Sequence, residues 1–284
     1  MTAAAGRLRR LKAPSALPGF GIAFGYTLVY LGLIVLLPLG VLIARASGIG
    51  ISSLLAIALE PRVAAALRTS FGISLAAAVI DVVFGGLVAW VLSRYRFPGR
   101  NLLDAFVDLP FALPTAVAGI SFAALYSTNG WLGGPLAALG IKVAFTPLGI
   151  LVALVFVGLP FVVRTVEPLI GELERELEEA SATLGASRLQ TVWRVLIPPL
   201  VPALLTGMAL AFARAVGEYG SVIFIAGNLP YVSEIAPLLI VVKLEEYDYA
   251  GAICIAAIML AISFVILLAI NLIQAWSRRR FGGV

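Results

Sequence analysis

Three ionisable residues stand in stretches that are otherwise apolar: Asp81, within AAAVIDVVFGG, and Arg214 with Glu218, within MALAFARAVGEYGSVIF. A charge near a bilayer centre costs about 2.5–3.5 kcal/mol on insertion scales, so such residues face a bundle or cavity rather than lipid. Arg214 and Glu218 are one helical turn apart and can pair along the helix, although Arg before Glu is the less favourable order. Arg214 therefore has two readings: half of a structural pair, or a cation facing a polar path through the bundle, where it would favour an anion. Asp81 would repel that anion, so it is read as a structural partner, with Arg214 as the candidate. Counted from Leu200 at about 1.5 Å per residue, Arg214 and Glu218 fall roughly 21 and 27 Å along their span. Gly217, Gly220 and Gly227 flank them and permit close helix approach or a local break.

The densest charge cluster lies elsewhere, in ELEEASATLGASRLQTVWRVLIP, residues 176–198. Its chemistry is that of docking. Leu173, Leu177, Ala180 and Leu184 recur at spacings of four, three and four, which stacks them on one face of a short amphipathic helix. Glu174, Glu178 and Ser181 take other faces. Gly185 can leave that helix with positive φ, and Ser187 can cap a second helix holding Leu189, Val192, Val195 and Leu196. Pro198 and Pro199 mark the start of the next span. Two readings stand: a solvated helix-turn-helix joining two spans, or an apolar knob rimmed by carboxylates that enters a groove on a partner.

The elements that position these residues are set by composition. Of 284 residues, 61% are hydrophobic and 12% charged, and mean hydropathy is +1.06. Runs of about 20 apolar residues match a roughly 30 Å hydrocarbon layer, where backbone groups must satisfy one another. The chain reads as an all-α membrane protein with six transmembrane helices, near 20–44, 70–93, 106–128, 145–165, 200–226 and 250–275. Residues 51–69 read as an outer surface helix pair and 231–249 as an outer interfacial or re-entrant segment. The expected organisation is a cytoplasmic lead (1–19), a first helix with its outer segment (20–65), a transmembrane domain (66–276) and a basic tail (277–284).

With the N-terminus inside, fourteen Lys and Arg fall on the cytoplasmic side, among them Arg7, Arg9, Arg10, Lys12, Arg94 and Arg278–Arg280, and five fall outside. This bias supports cytoplasmic termini. The outer acids Glu234, Glu245, Glu246 and Asp248 are candidates for contact with a partner, against mere solvation. The chain has no His and one Cys, Cys254, which excludes imidazole metal sites, His-based catalysis and an intrachain disulfide. No metal or catalytic residue is expected. The sequence pI near 9.6 comes from bases spread over loops and tails, which does not favour nucleic acid.

The spacing Glu179-Ala180-Ser181, three residues, Gly185, nine residues, Val195-Leu196-Ile197-Pro198 resembles the EAA loop of binding-protein-dependent ABC importer permeases. Ser181, Val195 and Ile197 are mild departures from that pattern. The stretches RYRFPGRNLLDAFVDLPFALPTAVAG (94–119) and GEYGSVIFIAGN (217–228) are similar to sulfate and thiosulfate permeases of the T-type subunit, and the resemblance runs from about residue 17 onward.

The resemblance implies a type I ABC importer permease bundle in a bacterial inner membrane. It implies Glu178, Glu179, Ala180, Ser181, Leu184, Gly185, Arg188 and Pro198 as the coupling segment, with Arg214 and Glu218 as path candidates. The implied function is ATP-driven sulfate import, with thiosulfate included. Alternatives are a molybdate or tungstate permease, or, from another class, a secondary anion transporter. Implied partners are ABC ATPase subunits, a W-type permease subunit and a periplasmic sulfate-binding protein. ATP and Mg would bind the ATPase, because a Walker A loop needs a lysine followed by Ser or Thr, and Lys12, Lys142 and Lys243 precede Ala, Val and Leu.

Overall fold

The computed structural model describes residues 19–281, with side chains to Trp276. The basic lead (Arg7, Arg9, Arg10, Lys12) and the side chains of Arg278–Arg280 lie outside the described residues. Every described element is helical: α1 (Phe20–Ile49), α2 (Ile51–Ala58), α3 (Pro61–Arg94), α4 (Arg100–Val107), α5 (Leu109–Ala112), α6 (Thr115–Tyr126), α7 (Gly133–Ala138), α8 (Pro147–Glu172), α9 (Arg175–Thr183), α10 (Arg188–Val216), α11 (Val222–Ile225), α12 (Ala236–Glu245) and α13 (Tyr249–Phe281). Two compact units divide between Ile49 and Gly50.

Among the described residues, five helices are long and apolar enough to cross a membrane: α1, α3, α8, α10 and α13. The third expected span, 106–128, is broken instead of continuous. Pro110 opens α5, and Leu113 is driven extended (ψ 133) by the following Pro114, the usual effect of a proline on the residue before it. What remains, α6, has 12 residues, about 18 Å at 1.5 Å per residue.

Other boundaries move for equally local reasons. Pro61 sits in the first turn of α3, where its missing N–H costs nothing, so most of the expected second surface helix belongs to this long span. Val63 and Leu67 are buried with Leu239 and Ile255. The 231–249 segment contains α12, whose Ala236, Leu238 and Leu239 are buried, so it packs into the bundle rather than lying at its surface. Its first turn is fastened by Ala236 N–H donating to Ser70 Oγ at 2.7 Å.

Two prolines follow wide π-helical turns, Gly32–Leu36 before Pro38 and Val192–Leu196 before Pro198. A proline ring collides with the carbonyl four residues back in a regular helix, and the extra residue in the ladder moves that carbonyl aside. This lets α10 run through Pro198 and Pro199 instead of starting after them. At its other end it stops at Val216, short of the expected 226.

The second unit is organised around a three-helix contact. Asp81 and Gly85 of α3, Gly158 and Val162 of α8, and Gly207 and Ala211 of α10 meet where a Cβ on any of the three glycines would press on a neighbour. Each pair is spaced i,i+4, and the glycine in each lets the backbones approach closely, as small residues do in lipid. Leu92, Val163 and Phe212 extend the core from this point, and Ile270 joins it from α13. A Cβ at Gly207 would lie 2.9 Å from Val162 Cα, so Gly207→Val should destabilise the bundle by about 1–3 kcal/mol through overpacking. Gly72→Ala, which meets nothing within 4 Å, should leave the melting temperature in detergent unchanged or raised.

Candidate functional site: the docking hairpin and the charges within the spans

The hairpin α9–turn–α10 follows the local logic of its residues. α9 ends in a glycine turn: Gly185 has φ 81, its N–H donates to Ala182 O, and Ala186 N–H donates to Ser181 O, the paired bonds that close a helix on a left-handed residue. Ser187 caps α10 reciprocally with Gln190, backbone N–H to side chain in each direction. Ser181 is the buried residue of α9, and its hydroxyl meets Thr191 Oγ1 at 2.8 Å, closing the hairpin from inside.

The apolar stripe points away from the bundle. Leu177 is exposed, Leu184 is 88% exposed, and Leu189 and Trp193 continue the surface onto α10. Leu173 does not belong to the helix but packs under the main core as the C-cap of α8. Ala180, Glu179 and Arg188 are also on the exposed side, and Pro198 is half-buried at the wide turn. Glu178, like the buried Ser181, makes a contact within the chain: its carboxylate lies 3.4 Å from Arg94 Nη2.

The hairpin end of the bundle holds a second charge cluster that hydropathy reading passed over. Arg164, in the last third of α8, donates from Nε and Nη2 to Asp108 (2.9 and 2.6 Å) and from Nη1 to Asp104 (2.7 Å) and Glu167 (2.9 Å). The guanidinium fork matches paired carboxylates in this geometry. It secures the broken α4–α5 segment to α8. The signal was present in the spacing of Asp104 and Asp108, one helical turn apart, but their partner is 56 residues away from the nearer of them.

Among the charges within the spans, Arg214 pairs with Glu218 at 2.5 Å and not with Asp81. Arg214 occupies the last turn of α10, where a cation is favourable against the helix dipole. Glu218 lies beyond the helix end, so the unfavourable residue order does not apply. Its other oxygen accepts from Ser221 N–H and Oγ, both at 2.9 Å, and the residue is 3% exposed. The Arg214 side chain is 35% accessible. Asp81 is 1% exposed, and neither carboxyl oxygen has a hydrogen-bond partner. Gly220 packs on Thr115, Gly227 (φ 73) on Phe145, and Gly217 is open.

The model of the family described as binding-protein-dependent transport system inner membrane component matches residues 81–283. That stretch holds the three-helix contact, the hairpin and the Arg214 pair. The chain belongs to this family. Relatives of this inner membrane component include the sulfate transport system permease protein CysT of Synechococcus elongatus, 52% identical over 90% of this chain and 92% of the relative. The protein of that name from Escherichia coli is 48% identical over 94% of this chain and 96% of the relative. Among solved structures, a chain of a bacterial alginate ABC transporter, in complex with a periplasmic protein bound to an alginate pentasaccharide, superposes with a TM-score of 0.73. It covers 92% of this chain and 94% of that one at 16% identity, a likeness of fold.

At the end of this family member opposite the hairpin, three of the four candidate acids, Glu234, Glu246 and Asp248, are held by ion pairs. Glu234 is buried and accepts from Arg62 Nε and Nη2 at 2.9 and 2.7 Å, so it ties the chain just before α12 to α3 and is not free for a partner. Lys243 reaches Glu246 at 3.3 Å and Asp248 at 3.2 Å. Asp248 is held below the usual carboxylate range, first by the Gly251 N–H and then by Lys243. Glu245 is exposed. Nothing lies within 4 Å of a Cβ at Gly185, so substitutions there test backbone conformation alone. Gly185→Val, adding about 1–2 kcal/mol of left-handed strain, should speed amide exchange at Ala186 roughly tenfold, while Gly185→Asn should stay near the parent.

Proposed function

We propose that this chain is the transmembrane permease subunit of an ATP-driven importer for sulfate, with thiosulfate as a second substrate. The observation that carries the reading is the hairpin: an outward-turned apolar stripe, built by a glycine turn and a capping box, on a chain whose relatives are named sulfate transport permeases. A Leu side chain that passes from water into a groove contributes about 1.5–3 kcal/mol. Burial of Leu184, Leu189 and Trp193 would therefore contribute part of the free energy that holds a soluble subunit, against the cost of association. That subunit is an ABC ATPase carrying ATP and Mg, and Glu179, Ala180, Leu184, Gly185 and Arg188 form the surface it grips.

In this reading the hairpin end faces the cytoplasm, both termini lie on that side, and the membrane is the bacterial inner membrane. A W-type permease chain completes the pore, and a periplasmic sulfate-binding protein delivers the anion to the opposite end. Nucleotide binds differently to the two conformations of the ATPase pair, and that difference supplies the work of alternating access. Arg214 serves the path: Glu218 uses one oxygen for it and the other for Ser221, and the guanidinium keeps accessible donors for a dehydrated dianion.

Proteoliposomes holding the assembled complex, with labelled sulfate on the binding protein, test this. Uptake should require ATP, and unlabelled sulfate should compete while molybdate should not. Vesicles holding this chain alone should transport nothing; ATP-independent uptake by them would point to a secondary transporter. Arg214→Ala should impair uptake and Arg214→Lys should retain part of it. Full uptake by an assembled alanine variant would remove Arg214 from the path. Leu184→Asp should strip the ATPase from the purified complex, read as the loss of its band after size exclusion.

A further inference from the structure

We propose that Arg94 is a positioning residue that makes α3 a second lever for motion arriving at α9, an inference that rests on α9 being the ATPase docking helix. The covalent route from α9 leads elsewhere. One end joins α8 through Leu173 and Glu174, both extended (ψ 118 and 133). The other joins α10 through the Gly185 turn. Neither route includes α3.

Arg94 supplies that route from the last turn of α3. Its Nη2 donates to Leu173 O, the carbonyl at the α8–α9 junction, at 2.9 Å, and lies 3.4 Å from Glu178 Oε1 on α9. Its guanidinium lies over the Trp90 ring, 5.3 Å from the centroid and one turn back along α3. The side chain is 11% accessible. Beside it, Ser93 Oγ donates to Glu167 O at 2.9 Å, a second bond from α3 to the α8 backbone. An exposed ion pair is loose and contributes about 0–1 kcal/mol, but a planar cation set between an indole face, a backbone carbonyl and a carboxylate keeps one geometry. A displacement of α9 is thereby delivered to α3, and through the Asp81–Gly85 contact to the centre of the bundle. Glu178 thus acts within the chain and not toward the partner.

The test uses the whole complex in proteoliposomes, with sulfate-loaded binding protein and ATP, and reads sulfate imported per ATP hydrolysed. Arg94→Met should retain the ATPase subunits and their basal hydrolysis, while the transport ratio falls roughly fivefold or more. Arg94→Lys, which keeps a donor for Leu173 and a charge for Glu178, should recover at least about half of the ratio, and Glu178→Gln, which spares the carbonyl bond, should fall between parent and Arg94→Met. A parental ratio in Arg94→Met, loss of the ATPase from that variant, or a lysine variant no better than methionine would each overturn the proposal. Failure of the unmodified complex to import sulfate would indict the importer reading instead.

Discussion

The second unit depends on how closely three backbones can lie. α3, α8 and α10 meet at Gly85, Gly158 and Gly207, each one turn from the other residue of its contact pair. In water, burial of large side chains would drive such packing, but lipid tails are as apolar as leucine and supply little of that force. Close approach supplies it instead, through van der Waals contact along backbones that have already satisfied their hydrogen bonds. Everything at the two ends hangs from this point. Toward the hairpin, α3 and α8 run on to Arg94, Arg164 and Leu173. Away from it, α3 reaches Arg62 and α10 ends at Arg214.

Polar side chains then do between elements what glycines do within the core. Arg164 gathers the broken α4–α5 segment, Ser70 caps α12 from a different helix, and Arg62 fixes the chain just before α12. Each is a directional bond between elements that lie far apart in the sequence. The apolar body and the charged ends are therefore one arrangement.

Features built from neighbouring residues were legible in the sequence. The left-handed turn at Gly185, the cap at Ser187 and the pairing of Arg214 with Glu218 each involve residues within a turn or two, and spacing alone revealed them. Features joining distant residues were not. Nothing in the text near Arg94 points to Leu173, nor anything near Arg62 to Glu234, 172 residues on. Hydropathy also outweighed punctuation: Pro110 and Pro114 break an apolar run that reads as a full span, while Pro198 and Pro199 fail to break α10 because a wide turn precedes them. The amphipathic stripe of α9 was legible as a stripe, but its outward direction was not, since periodicity does not distinguish a face turned to the core from one turned away.

The unpartnered carboxyl of Asp81 has a bearing on biogenesis. A ribosome delivers α3 to the bilayer well before residue 158 has been synthesised, so the close cover that Gly158 gives this acid does not yet exist. During that interval the nascent segment carries a polar burden that its flanking valines and alanines must outweigh. Release of α3 into lipid is therefore least favourable early and improves as later helices arrive, which ties the order of translation to the order of assembly.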